Sequence, residues 1–297
     1  MRKKFAEMML TVAVAISLLA GCGAKEDSIQ TVSEKDAEGN EMISEEDAEH
    51  LTTDNEAVTL HIFAAASMTE TLEEIQKMYA GVAPEVTLVF NFDSSGTLKT
   101  QIQEGADCDI FISAAQKQMN QLDISADSEI NEEGLDFLLE GSRVNLLENK
   151  VVLAVAEGNP SGIMSFEDLG SDKLQLLALG NEDVPVGQYS TELLTNLELL
   201  DKLETDGKIT YGSNVKEVTT QVAEASADAG IIYATDAFSA GLMVVDEATE
   251  ELCKKVVYPA AILKNTQNQE AAAAFLEYLQ TPECMEVFAR VGFSKAK

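Results

Sequence analysis

The sequence predicts an α/β protein built from mainly parallel sheets with helices on both faces. Three observations predict it. Strand-like and helix-like runs alternate from about residue 58 to the end. At least two strand-like runs stop at small hydroxyl residues just where a helix-like run begins. The stretch 58–297 is also long enough to build two lobes around two cores. No repeat of fixed period is visible.

The strand-like runs, in order, are Val58–Ala64, Val86–Phe92, Asp109–Ile112, Val151–Ala156, Leu174–Leu179, Ile209–Tyr211, Gly230–Tyr233, Leu242–Val245 and Lys255–Ile262. The helix-like runs are Thr69–Ala80, Thr97–Glu104, Lys117–Leu122, Glu132–Glu140, Phe166–Leu169, Gly187–Leu197, Val215–Ala225, Glu270–Leu279 and Pro282–Val291. In open sheets of this kind, ligands sit at the carboxyl ends of strands.

The first residues read as an export signal. Arg2, Lys3 and Lys4 form a positive start, and an apolar stretch runs from Met8 to Ala20, too short to span a bilayer comfortably. It ends in Leu19-Ala20-Gly21-Cys22, which resembles a bacterial lipobox. The resemblance implies removal of residues 1–21 and lipid attachment at Cys22, which anchors the protein to the outer face of the cytoplasmic membrane. Residues 22–57 read as an acidic tether with no aromatic residue, unable to bury enough apolar surface to order itself. About 35 such residues reach roughly 30–35 Å root-mean-square.

The formal net charge is -32, from 52 acidic and 20 basic residues. That argues against nucleic acid and anionic membrane surfaces as partners, and at first sight against an anionic ligand. A buried site for a small anion survives the objection, because distant surface charge is screened over about a Debye length while local dipoles act at contact. Four cysteines include Cys22, and no C-x-x-C spacing occurs. Cys108 reads as a small core residue, and a Cys253–Cys284 disulfide stays open.

Four turns carry the chemistry. Ser67-Met68-Thr69-Glu70 matches a capping box, so Ser67 either caps its helix or donates to a ligand. The preceding Ala64-Ala65-Ala66 leaves room for something to approach the backbone, which favours the donor. Ser94-Ser95-Gly96 stands before the next helix, and Gly96 permits either positive φ or a close backbone approach. Val184-Pro185-Val186-Gly187 opens a third helix and offers backbone N–H groups. Asn214 and Glu217 fit a second capping box, with Val215 at the first helical position and its N–H on offer. Tyr233 ends an apolar strand, where its hydroxyl can reach a cleft or a backbone carbonyl. Helix N-termini hold anions without basic side chains. Together these turns predict a site that wraps a small oxyanion in neutral donors.

Enzyme readings fare poorly. The only histidines are His50, in the tether, and His61, early in a strand. There is no G-x-S-x-G elbow, and a zinc centre lacks ligands. No catalytic residue, metal cation or cofactor is expected.

Several motifs, in order, resemble the ModA family of molybdate-binding proteins. They are Ile62-Phe63-Ala64-Ala65-Ala66-Ser67-Met68-Thr69, Ser94-Ser95-Gly96-Thr97-Leu98, Asp109-Ile110-Phe111-Ile112-Ser113-Ala114, Val184-Pro185-Val186-Gly187-Gln188-Tyr189 and Gly230-Ile231-Ile232-Tyr233-Ala234-Thr235-Asp236-Ala237. Tyr258-Pro259 and Val291-Gly292-Phe293 fit as well. The resemblance implies the two-lobed type II periplasmic-binding fold, with one lobe from 58–142 plus 238–297 and the other from 143–237. It implies a binding protein that captures molybdate or tungstate and delivers it to the permease and ATPase of an importer, acting as a monomer. Carried over by position, Ser67 and Ser95 donate from the first lobe. Val186 and Val215 donate backbone N–H, and Tyr233 its hydroxyl, from the second. Val186 stands where many relatives carry alanine, which a backbone donor tolerates. The competing readings are another oxyanion such as sulfate or phosphate, and a surface receptor on the same scaffold.

Overall fold

The computed structural model describes residues 57–297. The expected leader over 1–21, the lipidation site Cys22 and the tether over 22–57, apart from Ala57, fall outside the described residues. Among the described residues, no helix is long and apolar enough to cross a membrane.

The first lobe begins with β1 (Val58–Ala65), followed by α1 (Thr69–Tyr79), β2 (Val86–Asp93), α2 (Ser95–Gln103), β3 (Ile110–Ile112), α3 (Gln116–Asn120) and β4 (Val144–Asn149). From Ile62 to Ala65, β1 is buried on both faces, as a central strand covered by helices must be. It pairs in parallel with β2 and β3. Helix α1 buries Leu72, Ile75 and Tyr79, a stripe at helical spacing. Each such side chain contributes about 1.5–3 kcal/mol on burial.

The second lobe starts one residue later with β5 (Val151–Val155). It continues through β6 (Leu177–Gly180), α4 (Pro185–Asn196), α5 (Leu200–Thr205), β7 (Ile209–Gly212), α6 (Val215–Ala223), β8 (Ala229–Tyr233), α7 (Ala234–Ser239) and β9 (Met243–Glu247). The chain then returns to the first lobe as β10 (Val256–Ile262), α8 (Gln269–Tyr278), α9 (Pro282–Val291) and β11 (Ser294–Lys295). The first sheet has the order β11-β4-β10-β3-β1-β2, and the second β7-β6-β8-β5-β9. The main apolar core runs through both lobes, and a smaller one centres on Phe111, Leu98 and Met119 under α2 and α3.

Three expectations need correction. The crossovers fall at Lys150 and between Glu247 and Val256, not at 142/143 and 237/238, because β4 pairs with β10 and β11 of the first sheet and β9 pairs with β5 of the second. The sheets are also mixed. Pairs linked through helices are parallel, but β4, β5, β9 and β10 meet their neighbours antiparallel. Parallel neighbours need a helical crossover between them, and the strands flanking the lobe crossings have none. Finally, 132–140 is not a helix. Gly134 takes φ +63°, and the Asn131 side chain bonds the backbone of Asp123 and Leu135, which offers the chain an alternative to helical pairing.

The remaining alternation holds with shifts of a few residues, and 166–170 is a 3-10 turn. Strand β4, the two-residue β11 and the short helices α5 and α7 were not anticipated. Cys108, Cys253 and Cys284 are all buried free thiols.

Candidate functional site

The carboxyl ends of β1, β2 and β8 meet the N-termini of α2, α4 and α6 at one small cavity. The cavity holds only about 10 Å³ and is lined by Ala65, Ala66, Ser67, Asp93, Ser94, Ser95, Ala114, Val184, Pro185, Val186, Val215 and Tyr233. All five residues expected from the sequence lie there, drawn from both lobes. No lysine, arginine or histidine lines it.

Each turn reaches the cavity for a local reason. Ser94 is the N-cap of α2, and its Oγ accepts from the Thr97 N–H at 3.1 Å. That satisfies the third helical amide and leaves those of Ser95 and Gly96 without helical partners. Asn214 does the same for α6, accepting from Glu217 N–H at 3.0 Å and leaving the Val215 amide at the helix tip. Glu217 reaches back to the Ser213 N–H, one residue beyond the expected box partner Asn214. Helix α4 carries Pro185 at its start and has no side-chain cap. Gly187 is required there: a β-carbon on it would meet the carbonyl oxygens of Asn181 and Gly180 at 2.2 and 2.3 Å.

Ser67 is not a cap. It lies in a 3-10 turn, Ala66–Met68, that precedes α1, and α1 has no side-chain cap. Its hydroxyl instead lies 2.8 Å from the Tyr258 hydroxyl. Glu70, the other half of the expected box, pairs with Lys216 of α6 at 2.7 Å. The capping alternative therefore falls away. Ser95 Oγ accepts from the Ala114 N–H at 2.9 Å.

Tyr233 is fully buried, and among the described residues its hydroxyl has no hydrogen-bond partner. A buried polar atom left unpaired costs about 1–3 kcal/mol, so this hydroxyl holds hydrogen-bonding capacity that the described residues leave unused. Burial pushes the Tyr233 and Tyr258 hydroxyls well above the ordinary tyrosine range, so both keep their protons. Their rings meet edge to face at 5.9 Å, and Tyr258 continues onto Phe293 at 5.2 Å.

One carboxylate, Asp93, also lines the cavity. Its Oδ1 accepts from the Ser94 N–H at 2.7 Å and from Asn214 across the cleft at 3.4 Å. Asp236 of α7 is buried nearby, with Lys216 Nζ at 3.5 Å and no hydrogen-bond partner on either oxygen among the described residues. Sequence reading missed Asp93, Asp236, Asn149 and Tyr258 as parts of the site. Only Tyr258 carried a signal, as an aromatic residue in a strand that needs a partner for its hydroxyl. No cluster of three or more metal-ligating side chains exists among the described residues.

Uncharged donor residues from two lobes thus line this one small cavity. Residues 60–294 match the family model described as bacterial extracellular solute-binding protein. The chain belongs to that family, which it shares with the ModA proteins. YvgL of Bacillus subtilis, which carries the name of an ABC transporter substrate-binding lipoprotein, is 39% identical over 82% of this chain and 89% of its own. The molybdate-binding protein ModA of Haemophilus influenzae is 35% identical over 78% of this chain and 89% of its own. The solved periplasmic molybdate-binding protein of Azotobacter vinelandii superposes with a TM-score of 0.69 at 25% identity, covering 80% of this chain and all of that one. The fold is that of type II periplasmic binding proteins, and the family's members bind solutes for ABC importers rather than catalyse reactions.

Proposed function

We propose that this protein captures molybdate or tungstate in the cavity between its lobes and hands it to the permease and ATPase of an importer. The observation that carries this reading is the set of uncharged donor residues lining one cavity: Ser67, Ser95 and Tyr233 with their hydroxyls, and Val186 and Val215 at helix starts with their amides. The names of the relatives at 35–39% identity support the choice of ligand and of transport system. Lipid on Cys22 would hold the protein at the membrane face, and the tether would let it reach the permease; the name of YvgL supports this.

Capture works by closure. Each lobe brings part of the donor set, so a tetrahedral dianion binds the closed state better and shifts the population toward it. No bond is made or broken. Hydrogenphosphate carries a proton that the backbone amides cannot accept, and the Asp93 carboxylate is the one charged acceptor in the lining. Sulfate has no such proton and is rejected by size. Molybdate and tungstate are nearly equal in size and charge, so both fit.

A thermal-shift panel of oxyanions tests the assignment. Molybdate and tungstate are expected to raise the melting temperature most, because a ligand that binds only the native state stabilises it by mass action. A larger shift with sulfate or phosphate, or none with any oxyanion, overturns it.

A further inference from the structure

One cation lies between two carboxylates where the lobes meet. Lys216, in the first turn of α6 on the second lobe, places its Nζ 2.7 and 2.8 Å from the two carboxylate oxygens of Glu70, in the first turn of α1 on the first lobe. The same Nζ lies 3.5 Å from Asp236 of α7, on its own lobe. The other ion pairs among the described residues stay within a lobe or fall at the crossings. Glu70 and Lys216 therefore join the lobes by charge, and they do so beside the cavity. Helix α6, with Val215 at its tip, packs against the Ala66–Met68 turn that carries Ser67.

The two carboxylates differ in what else holds them. Glu70 is half exposed, so water can take the place of Lys216. Asp236 is buried, and among the described residues neither of its oxygens has a hydrogen-bond partner. The charged and titratable groups that face it are Lys216, Glu70 and the neutral Tyr233 and Tyr258 hydroxyls. Asp236 thus has one cation to turn to, and with the lobes together that cation is engaged by Glu70.

We infer that Glu70, Lys216 and Asp236 form an exchange latch for closure: Lys216 clasps Glu70 when the lobes meet and turns back to Asp236 when they part. This rests on the reading that capture works by closure. A carboxylate is within reach of Lys216 in either position, so opening leaves no buried charge without a partner. Glu70 favours the closed state that holds the ligand, and Asp236 favours the open state that admits and releases it. The measured affinity reflects this competition, because it scales with the population of the binding-competent state.

The test compares Glu70→Gln with Asp236→Asn at pH 8, above the value of about 7 to which burial pushes the Asp236 carboxyl. Each variant removes one negative charge, so a change in the protein's long-range field moves both the same way. The latch moves them apart. Calorimetry with molybdate should show Glu70→Gln binding about two- to fivefold more weakly than the wild type, the range of an ion pair with an exposed partner, and Asp236→Asn binding more tightly by about the same factor. Small-angle scattering of the ligand-free proteins should give the same order, with Glu70→Gln the most expanded and Asp236→Asn the most compact. Asp236→Ala takes the place of Asp236→Asn where that variant does not fold. Affinity changes of the same sign in the two variants, or no change in either, overturn the inference. If molybdate does not bind the wild type, the ligand assignment falls, and the scattering order alone upholds or overturns the latch.

Discussion

Gly96 of α2 lies against the backbone of Asp183 on the opposite lobe: a β-carbon built on Gly96 would sit 2.2 Å from the Asp183 carbonyl oxygen. Gly96 does not have a positive φ, so the glycine serves close approach and not backbone freedom. The two lobes can meet at this depth only because one side chain is a hydrogen atom.

The first prediction follows from that contact. Gly96→Ala should leave each lobe folded and prevent full closure, because the clash is with backbone that cannot swing away. Affinity for the oxyanion should fall by about tenfold or more, as expected when a binding-competent state becomes sparsely populated. Calorimetry gives the affinity, and small-angle scattering should show the ligand-induced compaction lost. A variant that binds and compacts as the wild type does would refute the role.

The orphan hydroxyl supplies the second. Tyr233→Phe should weaken oxyanion binding by about 1–3 kcal/mol and leave the melting temperature of the ligand-free protein unchanged or higher, because it removes a buried polar atom that the protein itself does not pair. Ser67→Ala and Ser95→Ala should weaken binding by a similar amount, about 1–3 kcal/mol each. They should also lower ligand-free stability, since each serine hydroxyl has a buried protein partner, Tyr258 Oη or the Ala114 N–H, that the alanine strands. Calorimetry and melting curves on the three variants separate the two effects.

The third concerns pH. Burial pushes the Asp236 carboxyl up to about 7, with Lys216 opposing and Glu70 adding to the rise. The Tyr233 and Tyr258 hydroxyls face it as neutral groups. In the unfolded chain this carboxyl loses its proton near the ordinary 3.8, but in the folded protein it holds on to about 7. Between those values the folded state binds the extra proton, so this group's contribution favours folding at the acid end and is lost as pH rises through about 7. Asp236→Asn should flatten that part of the stability profile between pH 4 and 7, read from denaturant midpoints across pH. An unaltered profile would show that Asp236 is ionised throughout.

Much of the site was legible because anion binding at helix tips is a local property. Ser95, Val186 and Val215 each sit where a strand-to-helix turn announces itself by a glycine, a proline or a capping residue, and the structure brings all of them to one cavity. What lay outside sequence reach was pairing at a distance. The Ser67–Glu70 spacing is a good capping box, yet Tyr258, 191 residues away, takes the serine and Lys216 of the other lobe takes the glutamate. Strand β4 escaped for a similar reason. Its Leu146-Leu147 core is short and flanked by polar residues, and it is a strand because β10 and β11 flank it. The lobe boundaries slipped with it.

The cavity's lack of any cationic side chain reaches beyond affinity. A protein carrying a formal charge of -32 does not gather anions from afar, and nothing at the cleft mouth's interior reverses that field. For the dianion proposed above, arrival rests on diffusion without electrostatic steering, and an abundant rival anion gains no head start from the protein's field.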